Sequence, residues 1–354
     1  MAFDSNKEQV EELMDDLIDQ VSDEYKHDVV PTVDNWSVKW PTWTNAGPGH
    51  KLTWESDEQE MLHYRQLLGQ YGYTVGKFIA DRRGHHDHQL ILVTKPVNYA
   101  CKVVSMGFYR RKYKNIDQSV VAFRRESDIL LRMNHPNIIQ TIDHIELSDR
   151  QTGFPYNYAA LVLELMDGTV TELRLTLSDR RIPEWLCRIL ARDVLLALDY
   201  MHNTGPGKPF TVVHMAIASR NILYRVVHSG ALISYLFKLA DFEECCIYEG
   251  NEQQLMPESK LEKPYVTNYS PPELEDGQID RLRQMLTPPM DIYSLGSIVY
   301  SLFAHRIYST KNYHNTFTNR NEPPMGNFIY SLTRTHQDHR LTAREALQHQ
   351  WLQQ

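Results

Sequence analysis

The residue patterning of this chain changes once, and that change constrains the fold more than any other feature. In the first half, short segments rich in Val, Ile, Leu, Tyr and Thr are separated by polar turns, which is typical of β-strands. Strands are predicted at 73–80, 89–95, 99–106, 138–147 and 158–166. One helix is predicted at about 117–133, whereas beyond residue 183 the chain is mostly helical, with long apolar runs at 185–202 and 290–303. This order predicts an α+β fold of two lobes.

The composition is that of an ordinary globular protein, with 42% hydrophobic and 23% charged residues. No stretch approaches the roughly 20 apolar residues of a membrane span, and the N-terminus lacks the basic flank and apolar region of a secretion signal. The four cysteines include the neighbours Cys245 and Cys246 and show no metal-type spacing. We therefore expect a reduced protein without a membrane span, in the cytoplasm or elsewhere inside the cell.

The negative charge is concentrated at the N-terminus. The whole chain has a net charge of −8, and residues 1–26 hold nine acidic residues and two lysines, a net of −7. The rest of the chain is therefore close to neutral. Because a nucleic-acid-binding surface needs a basic face, no nucleic-acid partner is predicted.

Residues 5–25 form a predicted amphipathic helix. One face is apolar at helical spacing and the other is almost entirely acidic. The apolar residues are Val10, Leu13, Met14, Leu17, Ile18 and Val21. Two interpretations stay open: the helix packs on its own domain, or it binds a protein partner or a second copy. The segment is the candidate surface for a protein partner.

A tryptophan-rich segment at 31–54 follows this helix. It contains Trp36, Trp40 and Trp43 among three prolines, and so many indoles predict a strap held against a surface rather than a free linker. Residues 56–59 resemble a capping box, which predicts a helix to about residue 70. Together these segments define a predicted N-terminal extension, 1–72.

Eight motifs occur in a fixed order between residues 99 and 340. They are Tyr99-Ala-Cys-Lys102, Glu126, His135-Pro-Asn-Ile138, His214-Met-Ala-Ile-Ala-Ser-Arg-Asn221, Asp241-Phe-Glu243, Ser270-Pro-Pro-Glu273, Asp291-Ile-Tyr-Ser-Leu-Gly296 and Arg340. Each motif alone is weak, but the ordered series resembles the eukaryotic protein kinase superfamily over roughly residues 70–354. The resemblance implies a lobe at 73–166 with a small antiparallel sheet and one main helix, and a larger helical lobe at 167–354.

The resemblance also implies a site for ATP and Mg²⁺. Lys102 matches the phosphate-binding lysine, and Glu126 matches its ion-pair partner. Asp241, which follows the apolar segment 236–240, and Asn221 match the two Mg²⁺ ligands; their oxygens are of the kind that this ion prefers. Arg220 lies where tyrosine kinases place an arginine that supports the transferred phosphate.

The aspartate that serves this family as catalytic base is missing. Ala216 holds its place, and no carboxylate occurs anywhere from His214 to Asn221. A methyl group neither accepts a proton nor orients a hydroxyl, and loss of a positioned base typically costs about 10²–10⁴ in rate. Met215 also replaces the arginine that many kinases use to hold a phosphorylated activation loop.

Two further departures concern the nucleotide. The turn at 79–88 contains Gly84 alone, although backbone amides approach phosphate most closely at glycines. Glu243 replaces the glycine of the Asp-Phe-Gly motif, which removes backbone freedom. By contrast, the scaffold is retained: Glu273 and Arg340 match a buried ion pair, and Asp291 matches a residue that braces the catalytic loop.

These features predict a pseudokinase, which is a catalytically impaired kinase-like domain that acts as a protein-binding scaffold or allosteric regulator and still has most of an ATP site. The alternative is a slow but genuine protein kinase that transfers the γ-phosphate to protein hydroxyls without the usual aspartate. A third hypothesis is other nucleotide chemistry, such as nucleotidyl transfer.

Overall fold

We analysed a computed structural model of the chain. The structure describes residues 54–81, 88–105, 124, 126–147, 158–204, 208–229, 232–249, 252–254, 267–274, 287–317 and 324–354. The predicted acidic helix, almost all of the tryptophan-rich segment and most of the glycine-poor turn lie outside these residues, so the expectations for them stay predictions.

The N-lobe is built around a five-stranded sheet in which every neighbouring pair is antiparallel. Its strand order is β1-β2-β3-β5-β4. The strands are β1 (Thr74–Asp81), β2 (His88–Thr94), β3 (Asn98–Ser105), β4 (Thr141–Leu147) and β5 (Tyr158–Glu164). All five were predicted, with small differences at their ends.

The described residues of this lobe form two helices. Helix α1 (Trp54–Gly69) precedes β1 and packs Met61, Tyr64 and Leu68 against the sheet residues Ile91, Val93, Cys101, Val103 and Val162. The spacing of three and four residues places these α1 side chains on one face of the helix. Helix α2 comprises the helical residues 126–131 and supplies Glu126.

The C-lobe is mainly helical. Its helices are α3 (Val170–Leu175), α4 (Glu184–His202), α5 (Pro289–Ala304), α6 (Thr310–Phe317), α7 (Pro324–Leu332) and α8 (Ala343–Leu347). Helices α4 and α5 correspond to the two apolar runs of the sequence, and most of their residues are buried because both cross the centre of one large hydrophobic core. Trp351 closes that core and is fully buried.

Two small sheets complete the described part of the C-lobe. One has the order β6-β8-β9, with β6 (Gly168–Thr169), β8 (Ile222–Ser229) and β9 (Leu232–Leu239). The other has the order β11-β10-β7, with β7 (Phe210–Val213), β10 (Cys246–Glu249) and β11 (Glu252–Gln254). The long β8–β9 hairpin was not predicted as a whole, although its last strand matches the apolar segment before Asp241.

The strand predicted from residue 138 begins three residues later, and tertiary contacts explain the difference. The amide of Ile139 donates to the carbonyl of Leu239 (2.8 Å), and the amide of Leu239 donates to the carbonyl of Asn137 (2.9 Å). Residues 137–139 therefore pair with the outer edge of β9 instead of starting β4. The predicted bilobal α+β fold is otherwise confirmed.

Candidate functional site

The register of β3 decides which side chains face the space between the lobes. Strand side chains alternate between the two faces of a sheet. Cys101 and Val103 lie on the face covered by α1, in one cluster with Ile91 and Val162. Lys102 therefore lies on the opposite face, towards the C-lobe, where its ladder partner on β5 is Leu161.

Apolar residues surround Lys102 on this face. Ala100 pairs with Leu163 on β5, and Leu161 and Leu163 belong to the same hydrophobic cluster as the C-lobe core. Leu223 of β8 packs against that cluster from the C-lobe. These apolar residues were not among those predicted from the sequence, although the alternation of side chains in β3 and β5 is a signal that could have found them.

Lys102 joins three elements through two ion pairs. Its Nζ lies 2.5 Å from Oε2 of Glu126 on α2 and 3.1 Å from Oδ1 of Asp241, which follows β9. The other oxygen of Glu126 accepts the backbone amide of Phe242 at 3.3 Å. Sheet, helix and the Asp241 segment are thus connected around a lysine that is only 5% exposed.

The charge state of Lys102 follows from these neighbours. Burial by itself would lower the pKa of its ammonium group, but the carboxylates of Asp241, Glu126 and Glu243 outweigh burial and raise that pKa above its ordinary value. The lysine is therefore positively charged at neutral pH. Glu243 is 7% exposed and close enough to contribute, so three carboxylates surround a single ammonium group.

The catalytic loop is held by one buried carboxylate. Asp291 of α5 is 1% exposed and accepts the amides of His214 (2.8 Å) and Met215 (2.9 Å), while Nε2 of His202 lies 2.8 Å from its Oδ2. Met215 has a φ of 66°, which is a costly conformation for a residue other than glycine. The two hydrogen bonds to Asp291 help to stabilise this strained backbone.

His214 connects the loop to the segment that carries Asp241. Its Nδ1 accepts the amide of Ala216 (3.4 Å) and its Nε2 lies 3.2 Å from the carbonyl of Ala240, which fits a neutral imidazole with the proton on Nε2. Burial lowers the pKa of His214, which also favours the neutral form. The imidazole ring packs on the ring of Phe242, with 4.8 Å between the centroids.

Ala216 is held by backbone hydrogen bonds to the side chains of His214 and Asn221. It is 3% exposed, and its carbonyl accepts Nδ2 of Asn221 at 2.8 Å. The backbone of the catalytic loop is therefore ordered around the position where the kinase family has its aspartate, and a methyl group occupies that position. Arg220 lies in the 3₁₀ turn Ser219–Asn221 and is half-buried.

Asn221 and Asp241 lie on neighbouring segments, because the amide of Ala240 donates to the carbonyl of Asn221 (2.9 Å). Asn221 is 2% exposed, and within the described residues its Oδ1 has no hydrogen-bond partner. A buried amide oxygen normally has a partner. The unsatisfied Oδ1 of Asn221 and the carboxylate of Asp241 on the neighbouring segment are hard oxygen donors that suit Mg²⁺, so these residues fit the ion that the family uses.

Two protein ligands are enough for this ion, which is usually bound by one or two side chains together with water and substrate phosphates. Among the described residues, no group of three or more His, Cys, Asp or Glu side chains could hold a metal on its own. Asp241 also has a left-handed backbone (φ 66°, ψ 72°), and such strained residues cluster at functional sites.

The scaffold pair Glu273 and Arg340 is present and nearly excluded from solvent. Two parallel hydrogen bonds join the side chains, at 2.6 Å and 2.8 Å. Arg340 also donates to the carbonyls of Pro289 (3.1 Å), Arg334 (2.8 Å) and Thr335 (3.1 Å). The pair thus connects the segment after the site to α5 and to the chain that leads into α8.

The comparison with protein families agrees with this fold. Residues 91–352, about three quarters of the chain, match the protein kinase domain. The chain therefore belongs to the protein kinase domain family.

Two curated relatives from Arabidopsis thaliana illustrate the similarity. U-box domain-containing protein 33 is 31% identical over 197 residues, which cover 54% of this chain and 20% of that protein. Serine/threonine-protein kinase TIO is 24% identical over 208 residues, which cover 58% of this chain and 13% of that protein. The match thus spans at most a fifth of the length of these two relatives.

Solved kinase structures share the fold. A crystal structure of the Rad53 kinase domain and SCD2 in complex with AMPPNP superposes with a TM-score of 0.51 at 17% identity, covering 80% of this chain and 91% of that one. Within the part of this chain that the structure describes, no helix has the length and apolar character to cross a membrane.

Proposed function

We propose that this chain is a pseudokinase: a protein-kinase domain that is severely impaired in phosphoryl transfer and acts by binding another protein. The observation that carries the proposal is Ala216, whose buried methyl group stands in an ordered catalytic loop without a carboxylate between His214 and Asn221. The fold around this position is intact, while the group that would accept the proton of the substrate hydroxyl is absent.

The rest of the site supports nucleotide binding. Phosphoryl transfer depends mainly on positioning and on electrostatic stabilisation of the phosphates. Lys102 is charged and held by Glu126 and Asp241, as a phosphate-binding lysine requires. Ala100, Leu163 and Leu223 provide apolar surface for an adenine ring, and Asn221 and Asp241 would hold Mg²⁺, which neutralises phosphate charge when bound.

A protein partner is predicted for the N-terminal segment. The segment 5–25, predicted from the sequence as an acidic amphipathic helix, is the proposed surface. Its predicted apolar stripe and acidic face suit a partner with a basic rim around an apolar groove. We also propose an intracellular location, because all four cysteines are free and buried, as expected in a reducing compartment.

Restoring the missing base tests the proposal. Wild-type protein, Ala216→Asp and Ala216→Asn are incubated with γ-labelled ATP, Mg²⁺ and a panel of peptide and protein substrates. We expect no transfer by wild type above the Lys102→Ala background, and measurable transfer by Ala216→Asp. The variant Ala216→Asn is the matched control, because it has the same shape as Asp without a basic oxygen.

The alternative is a slow but genuine protein kinase, and one observation favours it: Lys102, Glu126 and Asp241 are already in contact, so little reorganisation is needed for phosphate binding. Loss of a base reduces the rate without abolishing it. Wild-type transfer that both Lys102→Ala and Asp241→Asn abolish would establish this alternative and refute the pseudokinase proposal.

A further inference from the structure

The segment 164–168, which connects the two lobes, is bound to the β8–β9 hairpin by several polar contacts. Backbone contacts come first: the amide of Asp167 donates to the carbonyl of Tyr224 at 2.9 Å, and β6 pairs with β8 at Gly168 and Thr169. A connecting segment with only these bonds would be fixed at one end.

Arg225 of β8 binds the other end. Its Nη2 donates to the carbonyl of Leu165 at 2.5 Å and lies 3.4 Å from Oε2 of Glu164. The guanidinium group thus holds the backbone and the side chain of consecutive residues, for which its planar array of donors is well suited. The side chain of Arg225 is 38% exposed, so it reaches this position along the protein surface.

The carboxylates of the connecting segment complete the arrangement. Oδ2 of Asp167 accepts the amide of Val226 at 2.7 Å. Oε1 of Glu164 lies 2.5 Å from Nζ of Lys238 on β9 and accepts the amide of Gln140 at 2.9 Å. Both strands of the hairpin are therefore bound to the segment, and the charged groups on the two sides are complementary.

This hairpin carries the two residues that fit Mg²⁺. Strand β8 begins at Ile222, directly after Asn221, and β9 ends at Leu239, two residues before Asp241. A contact that fixes the connecting segment to the hairpin therefore fixes the adenine side of the cleft relative to the phosphate side. A ligand that contacts both sides binds more tightly when their spacing is set in advance.

We propose that Arg225 is a positioning residue for nucleotide binding, which holds the connecting segment 164–168 at a fixed spacing from Asn221 and Asp241. The inference rests on the proposed nucleotide site and deepens it. Without Arg225 the segment loses its hydrogen bond at Leu165 and one of the two ion pairs of Glu164, which Lys238 still binds. The remaining bonds at 167–169 should then open more often. Nucleotide binding then includes the cost of ordering that segment.

The test compares Arg225→Gln and Arg225→Lys with the control Arg344→Gln. Arg344 also forms an ion pair, with Asp199 at 3.2 Å, but its side chain is 69% exposed and lies on α8. Affinity for ATP with Mg²⁺ is measured by calorimetry. Loss of a hydrogen bond to a charged group should weaken binding by Arg225→Gln about tenfold, with partial recovery in Arg225→Lys and no change in the control.

Amide hydrogen exchange of the full chain without nucleotide gives an independent measurement. In Arg225→Gln the amides of Asp167 and Val226 should exchange faster, while the amide of Ile182, which bonds to the carbonyl of Leu302, stays unchanged. Unchanged exchange at 167 and 226, or an equal increase at all three amides, would overturn the proposal. So would unchanged ATP affinity in a variant whose exchange has increased.

The two proposals fail in different ways. If the wild type binds no ATP at millimolar concentration, the proposed nucleotide site is wrong. In that case the exchange rates still decide whether Arg225 holds the connecting segment.

Discussion

In the buried pair Glu273–Arg340, replacing the arginine should destabilise the fold more than replacing the glutamate. Replacing Arg340 with Met leaves the carboxylate of Glu273 buried without a counter-charge, and it also removes the donors to three backbone carbonyls. Replacing Glu273 with Gln leaves the guanidinium charge without its carboxylate, but the three hydrogen bonds to backbone carbonyls stay in place and one side-chain acceptor remains. The arginine variant should therefore be the less stable of the two.

The contacts set the size of the difference. Breaking a buried ion pair by removing one partner costs about 3–5 kcal/mol, and we expect Arg340→Met to lie at the upper end of that range because the three carbonyls lose a donor as well. A hydrogen bond to a charged group is worth about 1.5–3 kcal/mol. Glu273→Gln, which weakens the two bonds of the pair, should cost about 2–3 kcal/mol.

Urea unfolding followed by circular dichroism measures both changes, and the double variant Glu273→Gln/Arg340→Met completes a mutant cycle. We expect a coupling energy of at least about 1 kcal/mol between two residues in direct contact. The reasoning is refuted if Glu273→Gln is the more destabilising change, or if the two single effects simply add.

Three further predictions concern packing and pH. Leu68→Ala removes a fully buried α1 side chain from the N-lobe cluster and should lower the unfolding free energy by about 2–5 kcal/mol. The control is Leu62→Ala, because Leu62 is exposed. Equally small effects of the two variants would contradict the packing of α1 on the sheet. Gly296→Ala places a methyl group 2.7 Å from Thr333 and should cost about 1–3 kcal/mol by thermal unfolding, whereas a neutral effect would show that α5 and α7 separate easily. Burial raises the pKa of Asp193 to about 6. The folded state therefore binds this proton more tightly than the unfolded state, and the resulting stabilisation is present below pH 3.8 and lost as the pH rises through 6. Asp193→Asn should accordingly gain up to about 3 kcal/mol relative to wild type between pH 4 and pH 7, and parallel stability curves for the two proteins would disprove the assignment.

The packing of α1 also bears on where the folded domain begins. The predicted N-lobe starts at residue 73, but Met61, Tyr64 and Leu68 belong to the same hydrophobic cluster as the sheet. We therefore propose that a stable N-lobe includes α1 and begins near Trp54.

Glu243 adds a negative charge where the phosphates of a nucleotide would bind. Lys102 faces Glu126, Asp241 and Glu243, so these four groups carry a net charge of −2 when all are ionised. Phosphate groups would be repelled by this excess unless divalent cations accompany them. Nucleotide binding to this chain should therefore require Mg²⁺.

The sequence alone was sufficient for features that are local or periodic. Apolar runs of helical length identified α4 and α5. Short segments rich in Val, Ile, Leu, Tyr and Thr between polar turns identified the five N-lobe strands, because such side chains pack well on a pleated sheet. The absence of a carboxylate between His214 and Asn221 is likewise visible without coordinates, since it depends only on residue identity within a motif.

Tertiary structure decided the contacts between distant residues that no motif indicated. Arg225 and Leu165 are 60 positions apart, and Phe237 and Asn137 are 100 apart; neither pair has a periodic signature. The resemblance suggested that Glu126 pairs with Lys102, but only the fold shows that it also accepts the amide of Phe242. A polar side chain finds its partner through the packing of whole elements, so its identity in the sequence does not specify what it contacts.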